Sequence, residues 1–372
     1  MKKFNYLAIM LIVLVFAGCP ENPNLLEEIE TGDVSELSPK TVIIHGNVNI
    51  NFDLYENVEF GIIISTKENE LMTNDAVLFK VEDLIGNEFK IKLANLQPQS
   101  SYYYCAWLSL GEEKIKYGSI KSFTTPPAPA KAFSVSPSNY VCFSSGNLQY
   151  QASTNKWRFA ENQTDYIGNA NSNISLNYDG WIDLFGWSTI NSRFGLSTSI
   201  DVYNDIDFTG DFIDWGTNQI GDDALNTWRT LTKYEWRHLC FERSNSASLI
   251  GVAQVNNVNG LILLPDDWVC PNSLNFKVGF YDTNQADLYA AHQTLTKEQW
   301  MMLEQTGAVF LPACGSRDGK SVSHVQYWGS YWSSSPQYLY AAHSLYFYSY
   351  GVYVSDIYRN FGYSVRLVQD VK

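Results

Sequence analysis

Leu96-Gln97-Pro98-Gln99-Ser100-Ser101-Tyr102-Tyr103-Tyr104-Cys105-Ala106-Trp107-Leu108 runs from a polar, proline-containing segment into an unbroken aromatic and apolar one. The second half has strand composition, because aromatic residues fit a pleated, half-buried surface. Shorter β-type runs flank it: Thr41–Gly46, Glu59–Ile64 and Ser119–Thr125. Phe89-Lys90-Ile91-Lys92-Leu93 alternates apolar and basic residues with period two, as a half-buried strand does. About 90 residues of short strands separated by turn signals predict a β-sandwich over 34–125.

The stretch Leu96-Gln97-Pro98-Gln99-Ser100-Ser101-Tyr102 resembles the fibronectin type III motif Leu-x-Pro-x-Thr-x-Tyr, with Ser100 where Thr is commoner. The resemblance implies that Tyr102 is a tyrosine corner bonding back to nearby backbone. It also implies a spacer or presentation role, since sandwich domains host many functions. Pro126-Pro127-Ala128-Pro129-Ala130 then reads as a stiff linker over 126–130 and marks a domain boundary.

The chain opens with Lys2 and Lys3, an apolar run from Leu7 to Phe16, and then Ala17-Gly18-Cys19. Charge, short apolar core and small residues at the cut are the layout of a secretory signal. The run is too short to cross a bilayer core, which needs about 20 residues. This layout resembles a bacterial lipobox, with Phe16 where Leu is usual. The resemblance implies a signal peptide over 1–18 and lipidation at Cys19. Acyl chains contribute about 0.8 kcal/mol per buried methylene and anchor a protein to a membrane without a transmembrane helix. Residues 19–33 are acidic, carry Pro and Asn, and read as a tether.

Residues 131–372 form the third expected part, rich in Trp, Tyr, Asn, Gly and Ser. Strand signals open it at Phe133–Val135, Tyr140–Phe143, Leu148–Tyr150 and Trp157–Ala160. Two helices are predicted, one near Thr230–Leu239 with Thr232 as N-cap and Glu235 completing a capping box, one starting at Thr296. Ile262–Trp268 and Ala308–Gly315 read as buried strands running into loops.

The last 50 residues carry Tyr327-Trp328-Gly329-Ser330-Tyr331-Trp332 and Gly362-Tyr363-Ser364-Val365-Arg366. These resemble the Gly-Ser-Trp and Gly-Phe-Arg elements of formylglycine-generating-enzyme-type C-type-lectin-like domains, the first with Tyr331 as an extra residue and the second also extended. With Ser144–Tyr150 and Trp228–Thr232, they resemble Bacteroides-type surface lipoprotein domains. The resemblance implies an α+β C-type-lectin-like domain following the fibronectin III-like β-sandwich.

Between Trp332 and Tyr363 lies a dense mixture of Tyr with Ser, Gly and Asn, the chemistry of an antibody paratope. Leu345 and Phe347 must share one strand face and Tyr346 and Tyr348 the other. The expected ligand-binding residues are Trp332, Tyr338, Tyr340, Tyr346, Tyr348, Tyr350, Tyr353, Tyr358 and Tyr363. The location also resembles the variable region of retroelement-diversified proteins.

Net charge is -14, which argues against nucleic acid as a partner, since that needs a basic footprint. Apart from Cys19 the cysteines are Cys105, Cys142, Cys240, Cys270 and Cys314, scattered and without zinc spacing, so free thiols are expected, with one disulfide between distant members of an exported protein as the alternative. No metal or other cofactor is expected; the pairs Asp222-Asp223 and Asp266-Asp267, and Asp205 with Asp207, read as loop residues. None of the five histidines falls in a nucleophile-elbow, HExxH or P-loop context. The resulting expectation is a non-catalytic adhesin or receptor. It would be lipid-anchored to the bacterial outer membrane, surface-exposed, and would meet a glycan or protein ligand. A structural subunit of a surface or fimbrial assembly and a glycan-processing accessory enzyme are the alternatives.

Overall fold

The computed structural model describes residues 27–371 apart from 56, 95, 112–114, 190–193 and 281–287. The expected signal peptide and Cys19 lie outside the described residues. The described residues divide into two compact units, the first within 27–37, 42–93 and 100–124, the second within 38–41, 94–99 and 125–371.

The first unit contains β1 (Glu28–Ser35), β2 (Val42–Asn49), β3 (Glu59–Ser65), β4 (Val77–Lys80), β5 (Glu88–Leu93), β6 (Ser101–Ser109), β7 (Ile115–Tyr117) and β8 (Lys121–Thr124). One sheet has the order β1-β2-β5; the other runs β4-β3-β6, with β7 and β8 both on the far edge of β6. All of these pairings are antiparallel. Period-two alternation turns Val42, Ile44 and Val48 of one sheet, and Phe60, Ile62 and Ile64 of the other, out of solvent. Phe60 and Phe89 meet across the sheets with ring centroids 5.3 Å apart. This is a fibronectin III-like β-sandwich. Tyr102, the second residue of β6, is buried and stacks on Phe123 at 5.4 Å.

One boundary differs from the sequence expectation. The predicted tether ran to Asp33, yet Glu28–Ser35 is the first strand of the sandwich. Ile29 and Thr31 are buried while Glu28 and Glu30 are exposed, so a period-two strand hides inside acidic composition.

The second unit is also mostly β. Its strands are β9 (Phe133–Ser134), β10 (Tyr140–Phe143), β11 (Leu148–Gln151), β12 (Lys156–Phe159), β13 (Ile250–Val255), β14 (Val258–Leu263), β15 (Thr294–Leu295), β16 (Val309–Pro312), β17 (Ser316–Asp318), β18 (Ser321–Ser323), β19 (Gly329–Tyr338), β20 (Ala341–Tyr348), β21 (Gly351–Tyr358) and β22 (Val368–Val371). Three short helices accompany them: α1 (Lys233–Arg237), α2 (Tyr289–His292) and α3 (Lys297–Gln305). Thr232 and Thr296 cap α1 and α3 in capping boxes with Glu235 and Gln299. Each box satisfies backbone donors that a helix start would leave orphaned. α1 is shorter than the sequence suggested and continues as a π-helical turn over His238–Glu242. No helix among the described residues is long and apolar enough to cross a membrane.

Two apolar clusters position the closing sheet, β19-β20-β21. Tyr331, Leu345 and Phe347 belong to one, with Trp236, Leu261 and Leu311. Trp332, Ala342 and Tyr363 belong to the other, with Phe185, Trp187 and Trp215. Gly329 is required where β19 crosses β20, because a Cβ there would land on the Phe347 ring. The five cysteines of the described residues are unpaired.

Candidate functional site

The register of the closing sheet decides which side chains share its outer face. Ser330 pairs with Tyr346 and Trp332 with Ser344 between β19 and β20. Across β20 and β21, Ser344 pairs with Ser355, Tyr346 with Tyr353 and Tyr348 with Gly351. Paired residues project to the same side, so Trp332, Ser330, Ser344, Tyr346, Tyr348, Ser355 and Tyr353 line one face. Leu345 and Phe347 point the other way and are fully buried, as the alternation predicts.

The expected residues separate into three groups. Tyr346, Tyr348, Tyr350 and Tyr353 come together. Tyr346 stacks on Tyr353 at 5.0 Å with planes 17° apart, and Tyr348 on Tyr350 at 5.2 Å and 4°. Tyr346 and Tyr348 meet edge to face at 5.7 Å. Tyr350 and Tyr353 are exposed, whereas Tyr346 and Tyr348 are half-buried. Burial, then the neighbouring phenols, raises the Tyr346 and Tyr348 hydroxyls above their ordinary range, so both remain hydrogen-bond donors at neutral pH.

Tyr340 and Tyr358 form a second group at the other end of β20 and β21, with ring centroids 6.0 Å apart. Tyr203, which the sequence reading did not single out, joins them at 4.9 Å from Tyr340 and 6.3 Å from Tyr358. Tyr338, in the same bend of chain, is exposed. Arg359 fixes this end of the sheet. Its guanidinium donates to the carbonyls of Tyr338, Ala341, Phe208 and Gly210 at 2.9–3.2 Å and lies over the Trp187 ring at 4.2 Å. No spacing signal links residues 203 or 208 to 338–359, so only the folded chain shows this cluster.

Trp332 and Tyr363 form the third group, and here the sequence expectation is corrected. Trp332 is 1% exposed and Tyr363 7%. The Trp332 indole donates to the Phe185 carbonyl at 2.6 Å, and its ring packs on Tyr363 at 4.8 Å. The second core cluster covers this end of the outer face, so Trp332 is framework rather than contact surface. Tyr363 reaches the surface only where it helps line a cavity.

The aromatic surface extends beyond the predicted stretch. Trp328 meets Tyr348 at 5.5 Å, and His324 stacks on Trp328 at 3.9 Å. Between the rings, Ser330, Ser344 and Ser355 border a cavity of about 230 Å³ walled by Trp328, Tyr346 and Tyr348. No group of three His, Cys, Asp or Glu among the described residues is arranged to hold a metal ion. The acidic pairs have local partners: Asp266 accepts from Arg243 and Ser134, Asp205 from the Asp207 amide, and Asp223 from the Trp228 indole. Cys314 is buried beneath this sheet; the Asn147 amide donates to its sulfur at 3.4 Å, and burial raises its thiol far above the ordinary range.

Residues 276–368, which include all of β19, β20 and β21, match the family described as Domain of unknown function (DUF8237). No curated protein matches the chain. Among solved structures, the sensor domain of the anti-sigma factor RsgI4 in Pseudobacteroides cellulosolvens is similar at 14% identity, over 27% of this chain and 95% of that one, with a TM-score of 0.22. A fibronectin type III domain derived from human KIAA0970 protein is similar at 18% identity, over 28% of this chain and 77% of that one, with a TM-score of 0.21. A computationally redesigned β-sandwich protein is similar at 15% identity, over 26% and 92%, with a TM-score of 0.21. The class this chain falls in follows from its own strand order: a mostly β protein whose first unit is a fibronectin III-like β-sandwich.

Proposed function

We propose that this chain is a non-catalytic binding protein, an adhesin or receptor lipid-anchored at Cys19 to the bacterial outer membrane and exposed at the cell surface. In this reading the sandwich is a presentation module. The second unit is a C-type-lectin-like domain of the formylglycine-generating-enzyme type, used for recognition alone and open to retroelement diversification at its C-terminus. One observation carries the proposal: Tyr346, Tyr348, Tyr350 and Tyr353, with Trp328, gather on the outer face of a sheet whose inner face is core. Tyr supplies large, amphipathic contact area at low rotamer cost, and clustered aromatics are the usual energetic centre of an interface. The burial of Cys314, which raises its thiol, supports recognition over cysteine chemistry, because the thiolate is the nucleophile.

Glycan and protein arrays probed with the full chain in detergent test the recognition claim; a chain that captures nothing above background on either array defeats it. Palmitate incorporation by the native chain but not by Cys19→Ala tests the anchor. Labelling of intact cells tests the outward orientation.

A further inference from the structure

We infer that the cavity between Ser330, Ser344, Ser355, Trp328, Tyr346 and Tyr348 is a subsite for one neutral pyranose ring. The inference rests on the reading that the tyrosine face is a binding surface, and narrows it to a ligand class.

The two sides of the cavity differ in chemistry. Its walls are aromatic rings, which take up the apolar C–H face of a sugar by stacking. Three serines border it, and Ser330 and Ser344 are only 3% and 2% exposed. Tyr363 lines it beside Ser330. Ser344 lies on the cavity side of β20, between Ser330 and Ser355, so a hydroxyl-bearing ligand edge meets a polar border. A ligand with an apolar face and a hydroxyl-bearing edge satisfies both sides. An apolar or aromatic protein side chain satisfies only the walls and strips water from serine hydroxyls without replacing it, which is costly.

Charge narrows the class further. The one ionisable acid on the rim, Asp356, is the register partner of His343. Alternation therefore turns its carboxylate away from the face that holds Ser344 and Ser355. No Lys or Arg lines the cavity. Neither an anionic sugar nor a cation finds a counter-charge there. At about 230 Å³ the space is below the usual range of roughly 300–1,000 Å³ for larger ligands, which suits a single ring.

The test uses the full chain with a panel of methyl glycosides of glucose, galactose, mannose and N-acetylglucosamine. Saturation-transfer NMR and calorimetry are the readouts. A ligand efficiency typical of small molecules, over about 13 heavy atoms, gives a dissociation constant on the order of 1 mM. Ser344→Val puts methyl groups at the cavity's edge in a residue that strands favour. It is expected to weaken binding at least tenfold with unchanged melting temperature. Tyr348→Phe keeps the wall and is expected to hold binding within about threefold, while Tyr348→Ala abolishes it. Absence of saturation transfer to every glycoside overturns the proposal, as does undiminished binding by Ser344→Val. Binding of N-acetyltyrosine amide in place of the glycosides also overturns it and assigns the cavity to a protein side chain. In either of those cases array binding that still depends on the tyrosines leaves the broader recognition reading standing.

Discussion

Leu345 and Tyr346 are neighbours in β20 yet face opposite environments, and replacing each by Ala measures that difference. Leu345 is fully buried in the cluster that holds Tyr331, Phe347 and Trp236. Truncating such a leucine removes transfer free energy and leaves a cavity, at a cost of about 2–5 kcal/mol. Tyr346 is half-buried, and its ring contacts are the stack on Tyr353 at 5.0 Å and the edge-to-face contact with Tyr348 at 5.7 Å, each worth about 0.5 kcal/mol at the low end for aromatic pairs. For a unit of this size about 1 kcal/mol moves the melting temperature by roughly 2–4 °C. Leu345→Ala, at about 3 kcal/mol, is therefore expected to lower the transition by roughly 6–12 °C, and Tyr346→Ala, at about 1 kcal/mol, by roughly 2–4 °C. Differential scanning calorimetry of the full chain reads both. Equal losses, or a larger loss from Tyr346→Ala, would refute the assignment of inner and outer faces.

Two further outcomes follow from particular residues. Gly329→Val drives a side chain into the Phe347 ring and is expected to cost about 1–3 kcal/mol by overpacking, and to cost less when Phe347 is already Ala; equal costs of Gly329→Val in the native and Phe347→Ala backgrounds contradict this, read by denaturant unfolding. Burial pushes the Asp183 carboxyl up to about 6, although Asn171 and the Ile167 amide donate to it at 2.8 and 2.9 Å. A raised carboxyl pKa means that the fold favours the neutral form. Its contribution is most favourable below the ordinary value of 3.8 and is lost as pH rises to about 6, by about 3 kcal/mol. The melting-temperature difference between the native chain and Asp183→Asn should therefore fall as pH goes from 4 to 6.5; a flat difference removes the claim.

The parts legible in the sequence are those with a short-range physical signature. Thr232 with Glu235 announces a helix start because the capping box is local, and the Leu345/Tyr346/Phe347/Tyr348 alternation announces two unlike faces because strands have period two. Trp332 misled for an instructive reason. It lies on the same face as Tyr346, but that face is covered at one end by Phe185 and Tyr363, and nothing in the strand itself says where cover begins. Tyr203 and Arg359 were invisible as site residues because their partners lie more than a hundred residues away in the chain for several of their contacts. β1 reads as tether because Glu28, Glu30 and Asp33 dominate its composition, while only Ile29 and Thr31 of the strand are buried.

The recognition surface itself is tested most directly by comparing the native chain with Tyr348→Ala/Tyr350→Ala/Tyr353→Ala on the same array-identified partner, by biolayer interferometry. Removal of three central rings is expected to weaken binding at least a hundredfold, since truncating such aromatic anchors commonly costs about 2 kcal/mol or more each. Calorimetry should show the triple variant still folded. Affinity within threefold of native in a folded triple variant would show that the aromatic face of β20 and β21 is not where this protein meets its partner.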